Sequence, residues 1–94
     1  MNTQLYLVKN VVDGKHYVAL TNTAPAATRL IAQALGREPP EFKSTLIAVD
    51  KLFKDRIPIY GVAGQGNVPA VQVLSDALQE FGQMRSTDHE EQDK

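Results

Sequence analysis

Few residues in this chain have the chemistry to cleave or transfer a bond. There is no Cys, so thiol nucleophiles, disulfides, iron–sulfur ligation and zinc-finger sites are excluded. Two His remain, at positions 16 and 89. His16 precedes Tyr17 with no carboxylate pair or Ser/His/Asp spacing around it, so it reads as a strand-end histidine at a turn. His89 stands beside Asp88, Glu90 and Glu91. A metal site needs preorganised ligands, and this run has no periodic framework to supply them, so it reads as a solubilising tail and no metal or cofactor is expected. The segment from Gly61 to Gly66 follows an apolar run and precedes a helical pattern, the order in which backbone N–H groups and a helix terminus cradle phosphate. Pro69 occupies the place of the third glycine in the dinucleotide fingerprint, so the glycines are read as a turn.

Elements must position whatever sites exist, and the pattern supplies them in order. Residues 4–10 and 16–21 are rich in branched and aromatic side chains and flank an Asp13-Gly14 turn signal, which predicts an antiparallel hairpin. Alternation puts Leu5 and Leu7 on one face and Tyr6 and Val8 on the other, so both faces carry apolar groups. Thr21 to Pro25 combines capping residues with a first-turn proline, and the helix it starts runs to Gly36 with Ala27, Leu30, Ile31, Ala34 and Leu35 as its apolar stripe. The continuous run from Thr45 to Val49 predicts a central strand covered on both faces. Asp50 then caps a helical turn over 51–56, and 57–62 returns as a strand that Pro58 confines to an edge. Asn67 caps a last helix with Val71, Leu74, Leu78 and Phe81 inside and Gly82 as its stop. The expected fold is α+β, a ββαβ(α)βα two-layer sandwich in which a small sheet is packed by two main helices.

With 94 residues and 43% hydrophobic composition, one core is the expectation: a single domain over 1–84 and a disordered acidic tail over 85–94. Residues 1–84 carry a net charge of +1 and 85–94 a net charge of −2, so the domain itself is nearly neutral. Neutrality gives no support to nucleic-acid capture. The densest basic group, Lys43, Lys51, Lys54 and Arg56, is interleaved with Asp50 and Asp55. No window approaches the roughly 18 apolar residues of a membrane span, and a cytoplasmic location is the expectation.

Two strand tyrosines, Tyr6 and Tyr17, followed by Arg29 on the next helix give a pattern that resembles the GIY-YIG nucleases over about the first third of the chain. The resemblance implies metal-assisted phosphodiester cleavage by Tyr6, Tyr17 and Arg29, completed by a helical glutamate for which Glu80 is the nearest candidate. The two glycines of the motif are missing, since the chain reads Gln4-Leu5-Tyr6 and Tyr17-Val18-Ala19.

The whole arrangement, Leu5 to Val8, Tyr17 to Thr21, the helix over 26–35 and the strand over 45–49, resembles the small accessory proteins of phages and plasmids, anti-CRISPR inhibitors of type I systems among them. That resemblance implies stoichiometric binding to a host complex. The residues agree with it to the extent that Tyr6, Tyr17, Arg29 and Tyr60 are types that interfaces favour. Two functions are carried forward: a non-enzymatic module that binds a protein partner, either a host complex or a second copy through the edge strand at 57–62, and a metal-dependent nuclease or nucleic-acid-binding domain.

Overall fold

The computed structural model describes residues 3–66 and 68–85. Asn67 as a cap, His89 and the tail from 86 onward lie outside the described residues. The elements are β1 (Gln4–Asn10), β2 (His16–Thr21), α1 (Ala24–Leu35), a 3-10 turn (Pro39–Glu41), β3 (Phe42–Leu46), α2 (Val49–Lys54), β4 (Ile59–Gly64) and α3 (Val68–Glu80). They form a small α+β fold around one mixed four-stranded sheet in the order β3-β1-β2-β4. β1 is antiparallel to both β2 and β3, and β2 is parallel to β4.

The hairpin pairs Tyr6 with Ala19 and Val8 with Tyr17. Gly14 takes the left-handed conformation that the turn requires, at φ 77°. Asn10 organises that turn as much as the Asp-Gly pair does. Its fully buried side chain accepts from the N–H groups of Val12 at 2.8 Å and Asp13 at 3.2 Å. A buried amide is tolerated there because its oxygen replaces water for two turn donors.

α1 starts as its sequence requires, with the Thr23 hydroxyl accepting from the Ala26 N–H at 3.3 Å, and it stops at Gly36, φ 68°. Its buried stripe differs from the expected one: Ala27, Ile31 and Ala32 are inside, while Ala34 and Leu35 are exposed. The helix is rotated toward β3, where Thr28 and Ser44 join hydroxyl to hydroxyl at 2.6 Å. Turning Thr28 inward satisfies a polar pair at the margin of the core and carries the last turn outward.

The expected central strand is an edge, and it lies three residues earlier. β3 is Phe42–Leu46, with Lys43 and Thr45 exposed and Leu46 57% exposed. One further bond, Ile47 N–H to the Leu5 carbonyl at 3.1 Å, ends the pairing before Ala48 caps α2. The apolar run was divided between a strand end and a helix start, a division that run length alone does not reveal. β4 is an edge as Pro58 requires, but the chain after α3 pairs with its first residue. Ile59 donates to the Gln83 carbonyl at 2.6 Å and accepts from the Arg85 N–H at 2.7 Å. Met84 and Arg85 are therefore part of the sheet's margin, where a frayed segment was expected.

Side-chain alternation separates two apolar clusters on opposite faces of the sheet. Tyr6, Val8, Tyr17 and Ala19 pack with Ala27, Ile31 and Ala32 of α1. Leu5, Val18 and Ile59 pack with Leu52 of α2 and Leu74 and Leu78 of α3. Both faces are covered, as the apolar residues at odd and even strand positions demand. No helix among the described residues is long and apolar enough to cross a membrane.

Candidate functional site

The residues selected from the sequence do not assemble. Tyr6 and Tyr17 are 7% and 4% exposed on the α1 face. The Tyr6 hydroxyl lies 3.1 Å from Gln4 Oε1 and 3.3 Å from the Asn22 carbonyl, both acceptors, and the Tyr17 ring meets Phe42 edge to face at 6.3 Å. Both tyrosines are buried core side chains, so neither presents a surface to a partner, contrary to the interface role expected of them. Arg29 is exposed on the outer side of α1, beside Gln33 and Arg37. Glu80 is exposed at the end of α3, across the sheet from both tyrosines. The nuclease pattern needs these four groups around one ion, whereas the sheet separates Glu80 from the two tyrosines and Arg29 is exposed on α1. Among the described residues no group of three or more His, Cys, Asp and Glu side chains is placed to hold a metal.

Tyr60 is half-buried, tilted against Tyr17 at 6.4 Å, with the Lys15 ammonium 5.0 Å from its ring centre. That contact pins the hairpin turn to β4. His16 is half-buried opposite Lys9, and burial first, then the Lys9 charge, holds its pKa below the usual histidine value. The glycine-rich turn is explained by packing. A Cβ at Gly64 would overlap the Val71 side chain, and the Gln65 N–H and side-chain oxygen are engaged by the Leu20 carbonyl and the Thr21 hydroxyl at 3.0 and 2.7 Å.

A different surface stands out. α2 and α3 lie side by side on the sheet, and a groove of about 450 Å³ runs between them. Val49 and Phe53 line one bank, and Pro69, Ala70, Val73 and Ala77 the other, with Leu74 in the floor. Phe81 extends it, its ring 5.1 Å from that of Phe53. Val49, Val73 and Phe81 are 48%, 69% and 68% exposed, so the expectation that Phe81 faces the core fails. α3 explains the groove. It carries one apolar row toward the sheet, Leu74 and Leu78, and a second, Ala70, Val73, Ala77 and Phe81, turned toward α2. Two short alanines in the second row keep the furrow open, and α2, six residues long, is too short to fill it.

The floor is held rigidly. Gln83, 5% exposed, donates from Nε2 to the Leu52 carbonyl at 3.0 Å and lies 3.4 Å from the Ile57 carbonyl, tying the ends of α2 and α3 to the start of β4. The banks differ in charge. The α2 side carries Lys51, Lys54 and Arg56, with Asp50 and with Asp55 paired to Lys51 at 3.2 Å. The described part of α3 carries only Asp76 and Glu80. In the sequence this surface was detectable as an excess of apolar positions on α3 beyond the single stripe that a sheet can cover. No family model matches the chain, and no curated protein or solved structure matches it significantly.

Proposed function

We propose that this chain is a non-enzymatic protein-binding module that receives its partner in the α2/α3 groove. The observation that carries this reading is the contiguous apolar surface of Val49, Val73 and Phe81 on a floor fixed by Leu52, Leu74 and Gln83. Large apolar side chains left in water cost solvation that a bound partner recovers, and a rigid floor lowers the ordering cost of binding. The near-neutral domain charge agrees with recognition by shape and apolar contact. A narrower form of the reading follows from the resemblance of the hairpin, helix and strand unit to phage and plasmid accessory proteins. In that form the chain acts in the cytoplasm as a stoichiometric inhibitor of a host defence complex such as a type I CRISPR effector.

Both forms have direct tests. Binding of a purified, identified partner is measured for the wild type and for Val73→Glu, which replaces a weak helix former by a better one while placing a charge in the groove. A loss of roughly 30-fold or more is expected from a central contact. Wild-type affinity in both Val73→Glu and Phe81→Ser would remove the groove from the reading. For the narrower form, DNA binding by a purified type I effector complex is titrated with the chain, and no effect at stoichiometric amounts sets that form aside.

A further inference from the structure

We infer that the end of the α2/α3 groove is a site for the free C-terminal carboxylate of a partner protein whose last residue is apolar. The inference rests on the reading of the groove as a protein-binding surface and names the partner's chemistry. Three observations carry it.

The first is a cavity of about 320 Å³ lined by Phe53, Lys54, Arg56, Phe81 and Gln83. Its size is at the small end of ligand sites. Phe53 lines both the cavity and the groove, so the one continues the other. Two rings 5.1 Å apart and two cations form the wall, with no carboxylate among them. Asp55, the chain neighbour of both cations, is paired with Lys51, and neither Lys54 nor Arg56 has an ion-pair partner among the described residues. An anion attached to an apolar group suits that lining, and a planar guanidinium grips a carboxylate through two N–H groups.

The second is Arg56 itself. Each of α1, α2 and α3 is followed by a residue in the left-handed conformation: Gly36 at φ 68°, Arg56 at φ 53° and Gly82 at φ 74°. Glycine takes that conformation freely, whereas a residue with a Cβ is strained there. The Arg56 N–H closes the end of α2 onto the Phe53 carbonyl at 3.2 Å, a bond that glycine would make equally well. What arginine adds at this stop is a guanidinium, on a residue that lines the cavity.

The third is Gln83, 5% exposed and part of the same lining. Its Nε2 is held by the Leu52 and Ile57 carbonyls at 3.0 and 3.4 Å, and its Oε1 has no donor among the described residues. A buried acceptor without a donor costs stability that a ligand N–H recovers. The end of a polypeptide supplies every group on one carbon: a carboxylate for Lys54 and Arg56, an apolar side chain for the two rings and an amide N–H for Gln83. A phosphodiester or a fatty acid brings the anion without the donor. The residues before the terminus then run into the groove, against Val49 and Val73.

NMR titration of the full chain tests this with N-acetyl-phenylalanine, its C-terminal amide and phenylpropionate, each to about 10 mM, a range that spans a millimolar Kd. Saturable shifts are expected at Phe53, Arg56 and Phe81 with the acid. Affinity falls roughly fivefold for the amide, which lacks the charge, and for phenylpropionate, which lacks the N–H. A short peptide ending in phenylalanine with a free carboxylate binds about tenfold more tightly and shifts Val49 and Val73 as well. Arg56→Gly lowers affinity for the acid roughly fivefold while melting no lower than the wild type, because the strain at φ 53° is relieved. No saturable shift with the acid, equal affinity for the acid and either analogue, or a peptide no tighter than the single residue overturns the inference. So does undiminished acid binding in Arg56→Gly. Those failures leave the groove reading standing where an identified partner still loses affinity in Val73→Glu. Indifference of both peptide and partner binding to Val73→Glu overturns the groove reading, and this inference with it.

Discussion

On the face of the sheet under α1, one helix is enough. Ala27 and Ala32 let its backbone approach closely, Ile31 joins Val8 and Tyr17 in one cluster, and Leu35 in the last turn is the one large apolar side chain that α1 leaves exposed. The opposite face has a comparable floor in Leu5, Val18 and Ile59, but two helices of six and thirteen residues divide it between them. Each seals the sheet with its inner row, Leu52 from α2 and Leu74 and Leu78 from α3, and the furrow between them keeps Val49, Val73 and Phe81 in water. Apolar content therefore does not distinguish a core from an interface in this molecule. What distinguishes them is whether an element of the chain is left to cover the last row.

The contrast can be broken or sharpened by substitution. Leu78→Ala and Ile31→Ala remove fully packed side chains from the two floors, and each is expected to cost about 2–5 kcal/mol in urea unfolding. A cost below about 1 kcal/mol for Leu78→Ala would mean that the α3 face is not a sealed core at all. Thr23→Ala removes the α1 cap and is expected to cost about 1 kcal/mol by the same measurement, with no effect on groove binding. Val73→Glu is expected to change stability by no more than about 0.5 kcal/mol while weakening partner binding by roughly 30-fold or more, the signature of a surface that the fold does not need. Equal loss of stability and binding would place Val73 in the core instead.

The smallest effect concerns His16. Its folded-state pKa lies below the ordinary value of 6.5, so the unfolded chain takes up the proton first. Stability is then expected to be level above that pH and to fall as the pH drops through it and on through the folded pKa. His16→Gln should flatten this part of the pH–stability curve. Because His16 and its neighbours Lys9 and Ile59 belong to the hairpin and β4, groove binding should not follow the same dependence.

Much of the fold was legible because it depends on local chemistry. Residues 4–10 and 16–21 alternate and flank Asp13-Gly14, and the strands form there. Thr23, Pro25 and Gly36 bound α1 where capping requires. Pro58 kept β4 at an edge. The run at 45–49 was misread because continuous apolar sequence describes burial and not partner, and Leu46 and Val49 end up exposed on two different elements. The candidate site was less legible still. Tyr6 and Tyr17 were selected for their type, yet type does not say on which side of a sheet a ring is covered, and both are core. Phe81 was assigned inward because its spacing from Leu74 and Leu78 fits one helical face, whereas it sits a step around the helix, against Phe53.

The sequence by itself determined the α+β class, the order of the elements, the two-sided apolar sheet and the near-neutral charge, because caps, turns, alternation and composition act over a few residues. Only the tertiary structure decided that β3 is an edge and not central, that Met84 and Arg85 close onto Ile59, and that α2 and α3 leave an apolar groove between them. Those features depend on which distant segments meet, and on whether a short helix is long enough to cover its neighbour. Both are set by packing between elements, which no local pattern encodes.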